Sequence, residues 1–260
     1  FGIKSDSMAG YSTYLQVVIT IFMILFGINF NAYFLLITRK FAQAFKMEEV
    51  RYYLGIIAIA VLIITCNIYH MYGSVSESLQ QAAFQVGSII TTTGYATTDF
   101  NLWPEISRTI LVMLMFIGAC AGSTGGGFKI SRLLILCKAI PKQLSLVIHP
   151  REVKVIRMDG KPIDHNTLRS TNVYLAIYFF ILLVSTLLIS VDNFNLTTNF
   201  TAVASTLNNI GPGLDGVGPT RNFGMYSDFS KFVLMFDMLA GRLELYPLLI
   251  LFMPSLWRRK

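Results

Sequence analysis

The sequence predicts an all-α integral membrane protein built from repeated units of span, half-helix, extended segment and span. Three observations carry that prediction. The chain is 54% hydrophobic and only 13% charged, against about 25% charge in an ordinary soluble domain. Five long runs are apolar enough to cross a bilayer. Between them, two connections hold shorter apolar stretches that end in glycine-containing segments and recur in step.

Residues 14–38 contain no charged side chain, and at about 1.5 Å per residue they cover a hydrocarbon core of about 30 Å. Residues 52–69 form a second such run. A third, 109–128, ends in the cluster Gly125-Gly126-Gly127. Residues 170–191 form the fourth. The fifth, 232–257, is interrupted by Asp237, Arg242 and Glu244. The net charge of +7 is distributed as a membrane protein requires, so it does not indicate nucleic acid. Fifteen of the 21 lysines and arginines fall in 39–51, in 138–169, at Arg132 and at the C-terminal Arg258, Arg259 and Lys260. Those segments are predicted to be cytoplasmic. The opposite side receives Lys4, Arg108, Arg221 and Lys231.

The outer connections are not ordinary loops. Residues 74–90 precede Thr-Thr-Thr-Gly-Tyr at 91–95, and residues 195–207 precede Asn-Asn-Ile-Gly-Pro-Gly at 208–213. Each apolar stretch is too short to span. Gly94 follows Arg51 by 43 positions and Gly211 follows Arg169 by 42. The start of the chain fits the tail of a third copy, since Gly2 precedes Tyr11 by nine positions, as Gly94 precedes Trp103. Internal repetition places a solute path on the repeat axis. Extended backbone at membrane depth is tolerated where it lines a cavity. Its carbonyl oxygens can replace a cation's hydration shell, and the half-helix before it aims its negative dipole end at the ion. Asp6, Asp99 and Asp215 follow the three glycines closely, as solvated turn residues or as a cation-attracting vestibule.

Other motifs are weighed the same way. Gly122-Ser-Thr-Gly-Gly-Gly127-Phe-Lys129 is not a phosphate loop, because Phe128 separates glycine from lysine and the preceding run is a span. It is either a gate or a kink for close helix packing. Arg242 is an electrostatic barrier in a cation path or half of an ion pair, with Glu244 as its partner; Asp237 is placed nearer the outside. The segment around Asp159-Gly160 reads as a hairpin turn or as a solvated loop. Asn195 and Asn199 match the glycosylation pattern but fall on a half-helix. Cys66, Cys120 and Cys137 read as small apolar fillers, and the three histidines form no cluster. No acid, base, nucleophile or metal set is visible, so no enzyme is predicted.

Taken together, the 91–95, 208–213 and 122–127 segments and Gly-Arg-Leu-Glu-Leu at 241–245 resemble the Trk/Ktr/HKT potassium transporter superfamily, on its bacterial TrkH side. The resemblance implies a K+-channel-like fold of four span–pore-helix–filter–span repeats around a pore. It implies a filter at Thr92, Thr93, Gly94 and Tyr95, at Asn209, Ile210, Gly211 and Pro212, and at Gly2. Potassium would bind at Thr92, Thr93, Gly94, Asn209, Ile210 and Gly211. A gating loop would comprise Gly122, Ser123, Thr124, Gly125, Gly126, Gly127 and Lys129, with Arg242 facing the pore. By this resemblance residues 1–49 close the second repeat, 50–137 form the third, 138–169 are a cytoplasmic connection and 170–260 form the fourth. It further implies a missing N-terminal half, a homodimer in the plasma (inner) membrane, and a separate cytosolic NAD- or ATP-binding subunit of TrkA type. The expected function is potassium uptake. The alternative is a secondary transporter of another cation or small solute built on broken helices.

Overall fold

The computed structural model describes residues 7–151, 155–242, 247 and 250; Gly2, Asp6 and Glu244 lie outside the described residues. Among the described residues ten α-helices run in order: α1 Thr13–Phe26, α2 Phe30–Ile37, α3 Phe41–Lys46, α4 Glu48–Tyr72, α5 Val75–Ile90, α6 Glu105–Ile117, α7 Ile130–Ile148, α8 His165–Ile189, α9 Leu196–Leu207 and α10 Asp228–Arg242. The order long helix, half-helix, extended segment, helix occurs twice, as α4–α5–α6 and as α8–α9–α10.

Helices α4 and α8, of 25 residues each, are each long and apolar enough to cross a membrane. At the helical rise they measure about 37 Å. From Val173 onward the exposed side chains of α8 are apolar, with Phe180, Leu183 and Leu187 each at least 65% exposed, while Thr171 and Ser185 are buried. That inside-out polarity fits a helix solvated by lipid on one side. Helices α5 and α9 have 16 and 12 residues and are buried along most of their length, polar residues such as Ser78, Gln85, Ser88, Asn199 and Ser205 included.

Two expected spans are broken. The 14–38 run bends by 92° between α1 and α2. Asn29 accepts the amide of Asn31 at 2.8 Å and so starts a new helix. The carbonyls freed by the break are all satisfied: Ile24 O by Tyr53 Oη, Leu25 O by Tyr33 Oη, Phe26 O by Thr124 Oγ1 and Gly27 O by the amide of Cys120, at 2.6–3.2 Å. Such partners make a break tolerable away from water. The 109–128 run likewise ends early. Helix α6 stops at Ile117, and an irregular loop leads from Gly118 to α7.

On the side predicted to be cytoplasmic, Arg157–Met158 pairs antiparallel with Lys161–Pro162. Asp159 and Gly160 turn the hairpin with φ of 51° and 77°, the left-handed pair a two-residue turn requires. The hairpin docks on α4, since Asp159 Oδ1 accepts the Glu48 amide at 2.7 Å and Lys138 contacts both Glu48 and the Arg157 carbonyl.

The core has two centres. One gathers Tyr53, Ile64, Ile68, Phe100, Leu111 and Met115 around α4–α6; the other gathers Tyr174, Tyr178, Leu182, Val203, Tyr226 and Leu234 around α8–α10. Phe116 of α6 joins them through its ring contacts to Tyr178 and Phe200, at 6.4 and 5.8 Å between centroids. Only Cys120 of the three cysteines is buried; Cys66 and Cys137 are exposed, so filling space is not their role in this chain. Asp237 is fully buried, with Ser185 donating to its Oδ1 at 2.7 Å.

Candidate functional site: two extended segments over a glycine-rich loop

The chain leaves α5 and α9 in the same way. After α5, the Thr92 amide donates to Ile89 O at 3.1 Å and the Thr93 amide to Ser88 O at 2.9 Å; after α9, the Asn209 amide donates to Thr206 O at 3.0 Å and the Ile210 amide to Ser205 O at 2.8 Å. Every member of the second set stands at one constant offset from its counterpart in the first. Backbone angles repeat as well. Thr92 and Asn209 have φ of 57° and 55°, and Gly94 and Gly211 have φ of 79° and 118°. A non-glycine residue at positive φ is uncommon, so two at matched positions mark a built conformation.

Among the described residues, no hydrogen bond reaches the carbonyls of Thr92, Thr93, Gly94, Asn209, Ile210 or Gly211. The segments also meet. A methyl group on Gly94 would lie 1.9 Å from Ile210 O and 3.3 Å from Pro212 Cδ, so no other residue fits there. Helices α5 and α9 both point their carbonyl ends, the negative pole of the helix dipole, at this place. Tyr95 O is held separately by Ser88 Oγ at 2.6 Å. Ser7 and Met8 join here too: Ser7 Oγ accepts the Ala96 amide at 3.1 Å and the Met8 amide donates to Ala96 O at 2.9 Å.

The glycine-rich loop packs against both segments. The Gly126 amide donates to Thr92 Oγ1 at 2.7 Å, and a methyl on Gly126 would come within 2.6 Å of Asn208 O. Lys129 reaches back to Gly125 O, and Arg242 Nη1 donates to Thr124 O at 3.3 Å. The loop, Lys129, Arg132, Tyr174 and Arg242 line a cavity of about 340 Å³. Arg132 lies over the Tyr174 ring, 3.9 Å from its centre. Asn208 and Asn209 are tied to helices rather than to the loop: Tyr178 Oη donates to Asn208 Oδ1 at 3.0 Å and Asn209 Nδ2 to Met238 O at 2.9 Å.

Sequence reasoning missed Ser88 and Ser205. Each is fully buried, and each carbonyl receives the amide that turns the segment. The signal was present, because serine stands at the same distance before glycine in both copies. Asp99 and Asp215, the two that lie among the described residues, are bonded within the fold. Asp215 meets Arg108 at 3.4 Å and exchanges its backbone amide with the Asn101 side chain at 2.9 Å, while Asp99 accepts from Thr220 at 3.1 Å. They cross-link the two units. Asn195 caps α9 by accepting the Thr198 amide at 2.7 Å, and Asn199 is buried against Tyr226, so neither serves as a free glycan acceptor in this fold.

A sequence model of the TrkH family, described as cation transport protein, matches residues 1–259. The chain belongs to the TrkH family. The Trk system potassium uptake protein TrkH of Salmonella typhimurium is 34% identical over 258 residues, which is 97% of this chain and 53% of that protein. TrkG of Escherichia coli K12, also named a Trk system potassium uptake protein, is 31% identical over 266 residues, 99% of this chain and 53% of its own. The crystal structure of the potassium transporter TrkH from Vibrio parahaemolyticus superposes with a TM-score of 0.89 at 34% identity, covering 99% of this chain and 56% of that one. The chain therefore spans about half the length of the relatives it matches. Its repeated, K+-channel-like helical membrane fold is the TrkH fold.

Proposed function

We propose that this chain forms the later part of a potassium-uptake pore in the plasma membrane, with Thr92–Tyr95 and Asn209–Pro212 as two strands of its selectivity filter and Gly2 in a third. The observation that carries this reading is the pair of matched segments whose carbonyls are bare where two half-helix dipoles converge. Potassium is coordinated by the carbonyls of Thr92, Thr93, Gly94, Asn209, Ile210 and Gly211, which replace its water shell. No side chain is required to react, and the protein is not an enzyme.

Residues 122–127 and Lys129 act as the gate, since the loop presses on the inner ends of both strands. Arg242 places a positive charge beside the loop, raising the barrier to a cation while the loop stays closed. The N-terminal half supplies the remaining filter strands. By the family resemblance, we further propose a homodimer in the inner membrane, with its C-terminus cytoplasmic, regulated by a separate TrkA-type subunit that binds NAD or ATP. The docked hairpin at 157–162 lies on the face such a subunit would meet.

The test is potassium uptake by the full-length protein in a bacterial strain lacking its own uptake systems, with and without Gly94→Ser. Rescue by the wild type, abolished or made less selective against sodium by the substitution, is the expected result. A well-inserted parent that gives no rescue with its regulatory subunit supplied refutes potassium uptake. Rescue unaffected by the substitution refutes the filter placement.

A further inference from the structure

Glu49 stands in the first turn of α4, outside both the extended segments and the glycine-rich loop, yet only 3% of it is exposed. A buried carboxylate must be hydrogen-bonded to be tolerated. Its Oε1 accepts the backbone amide of Ala121 at 2.6 Å, at the start of the loop. Its Oε2 accepts Asn29 Nδ2 at 3.1 Å, at the 92° bend. Asn29 Oδ1 is meanwhile committed to the Asn31 amide. One side chain thus joins the loop to the broken first helix pair and to the long α4.

Further ties between loop and bend are neutral: Cys120 N to Gly27 O at 3.1 Å, Phe30 N to Gly122 O at 3.0 Å, Thr124 Oγ1 to Phe26 O at 3.2 Å and the Asn29 backbone amide to the Cys120 thiol. Glu49 contributes the charged acceptor among them, and such bonds are about twice as strong as neutral ones. We propose that Glu49 is a positioning residue of the gate, a carboxylate latch that holds the loop against the filter until the loop withdraws. This rests on the reading of residues 122–129 as a gate. The latch acts through the Ala121 amide and touches no ion.

The hydrogen-bond polarity of the cluster provides the test, made on the full-length protein in proteoliposomes with potassium and sodium flux measured separately. In Glu49→Gln the acceptor for Ala121 is kept, but the new amide faces Asn29 Nδ2, donor against donor. In Asn29→Asp the cap of α2 is kept, but carboxylate faces carboxylate. In the double variant Asn29→Asp/Glu49→Gln the new amide donates to the new carboxylate, and all three bonds return. Each single variant is expected to raise basal potassium flux about tenfold, the effect of losing one charge-assisted hydrogen bond, with the potassium-to-sodium ratio unchanged. The double variant is expected to return to the wild-type flux. Single variants with wild-type flux, or a double variant whose effects add, overturn the latch. So does a change of ion selectivity. A single variant that fails to elute as a folded species is read through the double: recovery of a folded protein with wild-type flux supports the latch, and no recovery overturns it. Wild-type protein that carries no potassium refutes the pore reading itself, whereas wild-type flux with indifferent variants refutes the latch alone.

Discussion

Replacing Thr92 by valine removes one oxygen and leaves the shape almost unchanged. Thr92 Oγ1 receives the Gly126 amide at 2.7 Å, and this is the bond that ties the glycine-rich loop to the first extended segment. Both threonine and valine are β-branched, so the strain at φ 57° is common to the two. What changes is the amide, which is left without a partner in a partly buried place at a cost of about 1–3 kcal/mol. The loop escapes that cost by withdrawing, so the penalty falls on the closed position alone. The loop equilibrium should therefore shift toward the open position by about 5- to 150-fold. Basal potassium flux through full-length protein in proteoliposomes, without regulatory subunit, should rise accordingly. Thr92→Ser keeps the hydroxyl and should stay close to wild type. Flux equal to wild type in Thr92→Val, or equal flux in the valine and serine variants, would refute the coupling of loop to segment through this bond.

Three further outcomes follow from the same geometry. Gly241→Ala sets a methyl 1.8 Å from Leu207 O, and overpacking of this kind costs about 1–3 kcal/mol, so the unfolding temperature in detergent should drop. Asn101→Ala removes the side chain that pairs with the Asp215 backbone across the two units; a loss of about 1–2 kcal/mol is expected, read as faster hydrogen exchange around residue 215. Asp159→Ala deletes the cap on the first turn of α4, worth about 1 kcal/mol. Exchange at the Glu48 amide should rise while ion selectivity stays fixed.

The half-helices were legible because they combine two signals, a short apolar length and a polar, glycine-bearing exit, and each signal occurs twice. The expected stretches 74–90 and 195–207 correspond within a residue to α5 Val75–Ile90 and α9 Leu196–Leu207. The long helices α4 and α8 were legible from their charge-free runs. The bend at 27–29 was not. Its sequence contains no proline, and mean apolarity runs straight through it. What breaks the helix is Asn29 capping a new one, together with partners supplied from residues as distant as Tyr53 and Thr124. Local sequence carries no record of those partners. Glu49 was hidden for the same reason: in sequence it is one of two adjacent glutamates opening a helix, and its neighbour Glu48 is the one that meets the 157–162 hairpin.

Irregular backbone at membrane depth poses one physical question, which is where its amides and carbonyls find partners. In this chain three irregular stretches answer it for one another. The bend at 27–29 takes its donors from the glycine-rich loop, from Cys120 and Thr124. The loop takes acceptors from the bend, from Glu49 and from Thr92. The two extended segments use their own half-helices, through Ser88 and Ser205, for the turning amides. Among the described residues, the carbonyls at 92–94 and 209–211 have no donor after this exchange. An unpaired carbonyl away from water costs several kcal/mol, so six donor-free carbonyls at matched positions are stabilised by a ligand that oxygen atoms can coordinate. A dehydrated monovalent cation is such a ligand.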